Sequence, residues 1–374
     1  MATVFKTFLN NDIKSTRTLL HEAIPLTGAL ASGTYGGDTI ALGSETNIKN
    51  YAHGMFQSVY DYPYLSSSAN HIYDLTVGYS TGSQLSASAN VQHDKKLNIY
   101  NQMAGMLMGY DASGSVIRFD QNGDLTSTND KIDDAIFINF SRLLQKDEIK
   151  KGSFTMKVGG FDDYANRFLS LLTFTDAGAA TSYKINSAAG DFAILSCSAG
   201  GAFSGTDGGA DDRPGKVGLI FYQAGVVVLT SSVFQGITSG ALFHDAEMIP
   251  ARLTGVNQGI LHMSGALTGT SISGCCDAVR HRINDISFNN TTELNSTIHF
   301  CRVNSGDYNY SSNPTYLSES KLRVKNSQQD APISYFTTIG LYSADNELLA
   351  VAKVSEPLKK DPTNEMTLRV RLDY

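Results

Sequence analysis

Two continuous apolar runs mark the centre of the chain. Val217 to Tyr222 and Val226 to Thr230 are almost entirely apolar, and a short turn containing Gly225 separates them. Runs of this length joined by a tight turn predict a β-hairpin that is buried on both faces. The segment before them, Gly200 to Gly215, is rich in glycine and aspartate and predicts a surface loop.

Alternation of apolar and polar residues predicts further strands earlier in the chain. It runs through His71 to Val77 and through Gly152 to Val158, and Ile136 to Ile138 adds a short apolar run. A strand with one buried face shows this period of two residues. The three segments therefore predict strands, and the residues from Ser141 onward predict a short helical turn.

Helical spacing predicts two helices. Between Asp94 and Gly109, the apolar residues that recur at this spacing are Leu97, Tyr100, Met103, Ala104 and Leu107. They predict a helix over residues 94–108 that Asp94 caps and Gly109 ends. Residues 8–24 carry a weaker amphipathic pattern that stops at Pro25, and they predict a short N-terminal helix.

The C-terminal stretch predicts three strands. Tyr335 to Tyr342 and Leu348 to Ala352 flank a polar five-residue turn, which is the pattern of a β-hairpin. Met366 to Leu372 then alternates between apolar and polar residues. This last run predicts a half-buried strand that pairs within its own sheet or with a neighbouring subunit.

The same stretch carries a resemblance to a known family. TTIGLYSADNELLAVAKVSEPLKK and the closing MTLRVRLDY resemble a module of virion proteins from tailed bacteriophages, especially contractile-tailed marine phages. The first of these is also similar to the IGLYDADGNLIAV signature of phage tail-collar fibre domains, and Ser287 to Leu317 resembles the segment that precedes the module. The resemblance implies a virion setting. In tail-collar fibre proteins the similar domain is N-terminal and serves attachment to the baseplate, whereas here it is C-terminal.

The composition favours a β-rich fold. Only 17% of the residues are charged, and the chain has 34 glycines, so the surface is polar with many turns. Pattern and composition together predict a mainly β fold with minor α, in two to three sandwich-like β-rich domains. We expect a mixed α/β region at residues 1–150, a central β domain at 151–286 and a C-terminal β module at 287–374. The boundaries are expected near residues 145–160 and 280–287.

The charge balance argues against nucleic acid as a partner. The chain carries a net charge of −7, and its basic groups, such as Lys146 to Lys151, are interleaved with acids. Binding to a phosphate backbone depends on a field of positive charge, which this composition does not supply.

Cysteine usage and the N-terminus predict assembly in a cytoplasm. Cys197, Cys275, Cys276 and Cys301 lack the paired spacing of a zinc site or a disulfide framework, which predicts reduced thiols. The N-terminus shows no secretion-signal pattern, and no apolar run is long enough to span a membrane. We therefore expect neither secretion nor membrane insertion.

One motif matches the pattern of a nucleophilic serine. Gly78 to Gly82 fits G-x-S-x-G around Ser80 and follows a predicted strand. The elbow that this motif forms in hydrolases needs a helix directly after the serine, and Ser83 to Ala89 is a poor start for a helix. A turn is the favoured interpretation, and a hydrolase that uses Ser80 is the alternative.

Two acidic segments could hold a cation. Asp120 to Asp124 resembles part of a calcium loop, but its glycine is displaced and Lys131 stands where the loop needs a glutamate. A β-turn is therefore favoured. The aspartates of the glycine-rich loop, Asp207, Asp211 and Asp212, could bind a cation by the same logic, although a mobile loop explains them equally well.

Two further clusters have structural and functional interpretations. Cys275, Cys276 and His281 can be drawn as a metal site, but their spacing fits no ligand frame, and structural roles are favoured. Two groups of tyrosines could stack on host glycans, although packing is the favoured role for tyrosine on β-surfaces. These tyrosines are Tyr60, Tyr62, Tyr64, Tyr308, Tyr310 and Tyr316.

Pattern and resemblance together predict a structural component of a tailed-phage virion, in the tail, baseplate or neck. We expect it to act by docking to other virion proteins and to further copies of itself, without enzymatic activity, cofactor or metal. The alternatives are a receptor-binding or glycan-binding tail protein and a capsid decoration protein. The candidate docking residues are Tyr335, Phe336, Tyr342, Leu368, Arg369, Arg371 and Tyr374.

Overall fold

Strands form most of the molecule. The computed structural model of the chain describes residues 5–25, 45–124, 130–159, 164–169, 171–197, 215–234, 263–309, 317–318, 321–322 and 332–374. Its strands are β1 (Ile13–Pro25), β2 (Ile48–Asn50), β3 (Gln57–Tyr60), β4 (His71–Tyr79), β5 (Asp134–Phe140), β6 (Glu148–Ile149), β7 (Thr155–Gly159), β8 (Leu171–Thr175), β9 (Lys184–Ser187), β10 (Gly190–Cys197), β11 (Lys216–Phe221), β12 (Val226–Thr230), β13 (Ile283–Val303), β14 (Leu317–Ser318), β15 (Lys321–Leu322), β16 (Ser334–Tyr342), β17 (Leu348–Lys360) and β18 (Met366–Asp373). The α-helices of the described residues are α1 (His93–Leu107), α2 (Arg142–Gln145), α3 (Met263–Gly269) and α4 (Ile272–Arg280). The predicted mainly β fold with minor α is confirmed.

The chain divides into two compact units. The larger comprises Leu20–Thr292, and the smaller comprises Met1–Leu19 together with Glu293–Tyr374. The predicted boundary near residues 145–160 falls inside the larger unit, and the one near 280–287 lies shortly before its end. β1 and β13 each contribute residues to both units.

The central hairpin of the larger unit is formed by β11 and β12. The strands are antiparallel, with Gly218 opposite Leu229 and Phe221 opposite Val226, and every residue of β12 is buried. The predicted buried hairpin is therefore confirmed. Of the predicted surface loop before it, only Gly215 lies within the described residues.

The strands of the larger unit follow one antiparallel path, β13-β7-β8-β10-β11-β12-β5-β4-β3-β2. Five strands separate β13 from β5 along this path, yet the Phe288 ring of β13 lies 5.2 Å from the Phe140 ring of β5. A flat sheet would hold these strands about 29 Å apart at the usual spacing. The sheet must therefore fold back on itself, which encloses a sandwich-like core.

Two helices pack against β4 of this sheet. α1 and α4 both pack on β4, and the Cys276 thiol of α4 donates to the Leu75 carbonyl. The predicted helix at residues 94–108 is confirmed as α1, but Gln92, not Asp94, occupies its N-cap position, and Asp94 lies in the first turn. The Gln92 side chain instead accepts a hydrogen bond from the Ile272 backbone, at the start of α4. Among the residues described, no helix combines the length and apolar character needed to cross a bilayer.

The remaining predicted elements near this core also form. The alternating runs lie in β4 and β7, the short apolar run lies in β5, and the helical turn after Ser141 is α2.

The predicted N-terminal helix over residues 8–24 is wrong. A single 3-10 turn at Asn10–Asp12 leads into β1, a strand of 13 residues. Thr16, Thr18 and Ile24 are β-branched and favour extended backbone, and β1 takes its backbone hydrogen bonds by pairing with β13. Pairing with a strand that is distant in sequence therefore overrides the local helical pattern.

The smaller unit has little buried apolar surface. β18 pairs antiparallel with the second half of β13, from Ser296 opposite Asp373 to Val303 opposite Met366. The terminal strand thus pairs within its own chain. β16 and β17 form a separate hairpin, which confirms the predicted one and extends its second strand to Lys360.

Candidate assembly surface

The hairpin of β16 and β17, residues 334–360, exposes backbone edges, and we call it the hairpin arm. Within the described part of the chain, neither strand pairs with a third, so the sheet has two strands. An isolated two-stranded hairpin is only marginally stable in water and gains from a further strand or a packing partner. Unpaired strand edges also present N–H and C=O groups that another chain can bind.

Apolar side chains of β17 are exposed on both faces of the arm. Leu348 is 53% exposed, Leu349 69% and Val351 52%. Single exposed leucines are ordinary, whereas a continuous exposed apolar patch marks an interaction site. These three residues were not among the predicted docking residues. The signal was present, because Leu348 to Ala352 is apolar at successive positions in a strand that a hairpin cannot cover on both sides.

The base of the arm is protected against further pairing. Between the pairs Phe336–Leu358 and Thr338–Lys353 the register shifts, and the extra residues of this bulge include Pro357. Bulges and proline are common devices that block pairing at a sheet edge. The regular ladder that remains is the outer part of the arm, from Thr338 to Leu341, before a second register shift at Tyr342.

A groove of about 630 Å³ lies beside the arm within the smaller unit. Three predicted docking residues, Phe336, Tyr342 and Leu368, line it together. The Phe5 ring lies 4.8 Å from the Tyr342 ring, and the Tyr308 ring lies 6.1 Å from the Phe336 ring. Phe5 and Tyr308 were not predicted as part of this surface, because nothing local in the sequence links them to β16. The groove is an aromatic concavity large enough to take side chains from a partner.

The other four predicted docking residues do not line the groove. Tyr335, Arg369 and Tyr374 are exposed, and Tyr374 is the most open at 74%. Arg371 Nε donates to Asp373 Oδ1 at 2.7 Å on the surface of β18. An exposed pair of this kind adds little stability. The role of these residues in docking stays a prediction.

The serine motif of the larger unit forms a turn. Ser83 N donates to Ser80 O, and the residues up to the start of α1 form turns, as predicted. Ser80 Oγ donates to Asp133 Oδ1 at 2.5 Å, and the same carboxylate accepts from Arg118. A carboxylate that is already paired with a guanidinium is a weak base toward a hydroxyl. This arrangement fixes the turn and does not activate the serine.

The predicted turn at Asp120 forms, with hydrogen bonds and a lysine around the carboxylate. The Asp120 side chain accepts from the backbone of Asn122 and Gly123, and Lys131 Nζ lies 2.5 Å from its second oxygen. The lysine therefore supplies the positive charge that a calcium ion would bring. The loop aspartates Asp207 and Asp211 and their neighbour Asp212 lie outside the described residues.

The residues considered as a metal site, Cys275, Cys276 and His281, have separate hydrogen-bond partners in the structure. All four cysteines are free thiols, and Cys275 and Cys276 donate to different carbonyls, those of Ala266 and Leu75. Burial raises the pKa of both thiols, which keeps them neutral. Among the residues described, no group of three or more His, Cys, Asp or Glu side chains is arranged to hold a metal ion.

His281 instead belongs to a buried polar network. Tyr164 OH donates to His281 Nδ1 at 2.5 Å, and His281 Nε2 lies 3.2 Å from Glu45 Oε1. The same Glu45 oxygen accepts from Arg280, which also donates to Asp277 at 2.8 Å. Burial raises the pKa of Glu45, but the hydrogen bond with His281 and the charge of Arg280 outweigh it and lower the pKa overall. Burial and the Arg280 charge lower the pKa of His281, so the ring is neutral at pH 7 and its Nε2–H donates to Glu45.

These polar clusters of the larger unit satisfy one another, while the smaller unit leaves backbone edges and apolar side chains to solvent. Charged groups that are buried and paired hold the fold and offer no open position to a substrate. Exposed edges and apolar side chains are suited to contact with another chain. In comparisons with protein-family models, curated proteins and solved structures, nothing matches this chain.

Proposed function

We propose that this chain is a structural component of a tailed-phage virion, in the tail, baseplate or neck, and that it acts by subunit docking through the hairpin arm. The observation that carries the docking role is a two-stranded arm that exposes Leu348, Leu349 and Val351. The resemblance of the arm and β18 to a module of phage virion proteins supports the setting.

The physical basis of docking is the incomplete burial of the arm. Fully burying a leucine or valine side chain contributes about 1.5 to 3 kcal/mol, which the isolated arm does not gain. A partner strand added along the outer edge would also satisfy the backbone groups between Thr338 and Tyr342.

A second copy of the chain is the occupant that fits the arm best. The arm exposes both signs of charge, with Asp345 and Glu347 in its turn and Lys353 and Lys359 in β17, so two arms can pair without an excess of like charge. The adjacent groove offers an aromatic surface for side chains of the neighbouring copy. Most soluble homo-oligomers close by symmetry through one such repeated surface.

Light scattering coupled to size-exclusion chromatography tests the docking role. We expect the native chain to be an oligomer. The double variant Leu349→Lys/Val351→Lys is expected to dissociate, because association would bury the two lysine charges that each copy brings to the interface. Leu143→Lys is the matched control, since Leu143 is a similarly exposed leucine of the larger unit. A native chain that stays monomeric, or an oligomer that survives the double substitution, would contradict the docking role.

The virion setting needs a separate experiment. Mass spectrometry of purified particles of the phage that encodes this chain is expected to detect it, and immunogold labelling is expected to place it on the tail. Threefold or sixfold placement about the tail axis favours the baseplate or neck, and labelling spread over the head favours capsid decoration. Absence of the chain from intact particles would refute the setting while leaving the oligomer result unaffected.

A further inference from the structure

A cleft with a few polar side chains opens on the face of β4 and β5 in the larger unit. It has a volume of about 590 Å³, within the range of small-molecule sites. The residues that matter for its chemistry are Phe56, His71, Asp74, Met103, Asn139 and Arg142. It has no part in the docking role proposed above.

The cleft places polar residues on strands whose other side chains are mostly buried. Asp74 of β4 stands directly opposite Asn139 of β5. The neighbours of Asn139 along its strand, Ile138 and Phe140, are buried, whereas Asn139 itself is exposed. Aspartate and asparagine are disfavoured in central strands. Two such residues side by side on an otherwise apolar sheet therefore need a reason other than strand formation.

Hydrogen bonds hold the polar groups in place. Asp74 Oδ1 accepts from Ser58 Oγ at 2.5 Å and lies 2.8 Å from His71 Nε2. Thr76 Oγ1, on the same face of β4, donates to the Met55 carbonyl at 2.5 Å. Side chains fixed by such neighbours on rigid strands form a preorganised binding surface, which loses little entropy when a ligand binds.

Apolar side chains complete the lining. Phe56 borders the cleft, and its ring lies 4.7 Å from the Tyr51 ring, which fixes its orientation. Met103 of α1 borders it as well. The lining thus combines hydrogen-bonding groups with an apolar surface, which suits a ligand that has both.

The charges of the cleft select against a charged ligand. Asp74 supplies one carboxylate and Arg142 one guanidinium, whose nearest acidic partner, Asp147, is 4.0 Å away. The Asp74 carboxylate would repel an anion, and the Arg142 guanidinium would repel a cation. An uncharged molecule with hydroxyl groups can accept from arginine and asparagine and donate to the aspartate at the same time.

We propose that this cleft binds an uncharged sugar, with Asp74 and Asn139 taking its hydroxyl groups and Phe56 packing against its C–H face. The asparagine amide both donates and accepts, so it can bind two sugar groups from one position. The carboxylate accepts from a hydroxyl in a charge-assisted hydrogen bond.

Ligand-observed NMR titration of the full chain tests this proposal. The uncharged probes are N-acetyl-D-glucosamine, D-galactose and L-rhamnose, and the charged probes are D-glucuronate and D-glucosamine. We expect at least one uncharged sugar to bind and the charged ones to bind more weakly. Asn139→Ala and Asp74→Asn are each expected to weaken binding about tenfold, because the first removes a hydrogen bond to the ligand and the second replaces a charged acceptor by a neutral amide.

The matched control is Asn98→Ala, since Asn98 is an exposed asparagine of α1 outside the cleft lining. Its affinity is expected to equal that of the native chain. Asn139 is exposed, so its substitution leaves the core intact, and it carries the test if Asp74→Asn unfolds the protein. Failure of all uncharged probes to bind, preference for a charged probe, or equal affinity in Asn139→Ala would each overturn the proposal.

Discussion

Asp134, at the start of β5, lowers the stability of the larger unit at neutral pH. Burial raises its pKa from 3.8 to about 6, and the Asp133 charge adds to this, against the hydrogen bond from Ser83. A raised carboxyl pKa means that the folded state binds more protons than the unfolded state between these two values. Stability therefore falls as the pH rises from about 4 to 6, and the loss is complete above that.

Asp134→Asn is expected to stabilise the protein by about 1 to 2 kcal/mol at pH 7, after allowance for the partial exposure of the group. Asparagine keeps an oxygen for Ser83 but carries no charge to desolvate. The gain is expected to vanish near pH 4, where Asp134 is protonated in the native chain. Urea unfolding at the two pH values measures both differences, and an equal gain at both would show that the charge is not the cause.

The residue types of the buried network are visible in the sequence, but their partnership is not. Glu45 and His281 are 236 positions apart, and only the folded sheet and α4 bring them together. His281 was considered beside the cysteines because they are neighbours in sequence, whereas its side chain turns to Tyr164 and Glu45. A structural role for His281 was the favoured interpretation, but local spacing could not identify the partners that it has in the fold.

Gly78 gives a packing reason for a glycine of the G-x-S-x-G motif at the end of β4, apart from any role of the motif in presenting a nucleophilic serine. A Cβ atom at this position of β4 would lie 2.6 Å from Lys96 O and 2.9 Å from Tyr100 N, both on the backbone of α1. The glycine that completes G-x-S-x-G is therefore required by the close approach of helix and strand. The motif follows from packing, and its serine holds a turn.

Gly78→Ala is expected to destabilise the protein by about 1 to 3 kcal/mol, because α1 must move away from the sheet to admit the methyl group. Gly265→Ala is the matched control, since a Cβ there meets no atom within 4 Å and alanine favours the helix α3. Denaturant unfolding of both variants measures the difference. If the two substitutions have the same effect, the backbone contact at Gly78 does not set the spacing between α1 and β4.

Elements with an apolar pattern that reflects their burial could be predicted from the sequence. Elements that form because they pair with a distant strand could not. β11 and β12 are apolar because both faces are covered, so the sequence alone identifies them. β1 has almost no buried side chain and exists because β13 lies beside it. The sheet also folds back so that β5 comes close to β13. This depends on the order of the strands, which no local pattern in the sequence shows.

The distribution of buried side chains differs between the two units. The continuous hydrophobic core runs from Ile48 to Phe288, entirely within the larger unit. Among the described residues of the smaller unit, the buried apolar side chains are Ile298, Val303, Leu341 and Val370. A small fold with so few buried side chains offsets little of the chain entropy lost on folding. Most of the buried apolar surface therefore lies in the larger unit, and we expect most of the stability to reside there.

This distribution predicts that a fragment of residues 20–292 folds by itself. A cut after Thr292 keeps the pairs of β13 with β7 and β6, including Asn290 opposite Ile149, so the core stays closed. We expect the fragment to unfold cooperatively within a few degrees of the full chain, and residues 293–374 alone to show no cooperative transition. Circular dichroism melting of both fragments measures this. A cooperative transition in the smaller fragment would show that the hairpin arm does not depend on a partner. An unfolded larger fragment would show that the two units share their stability.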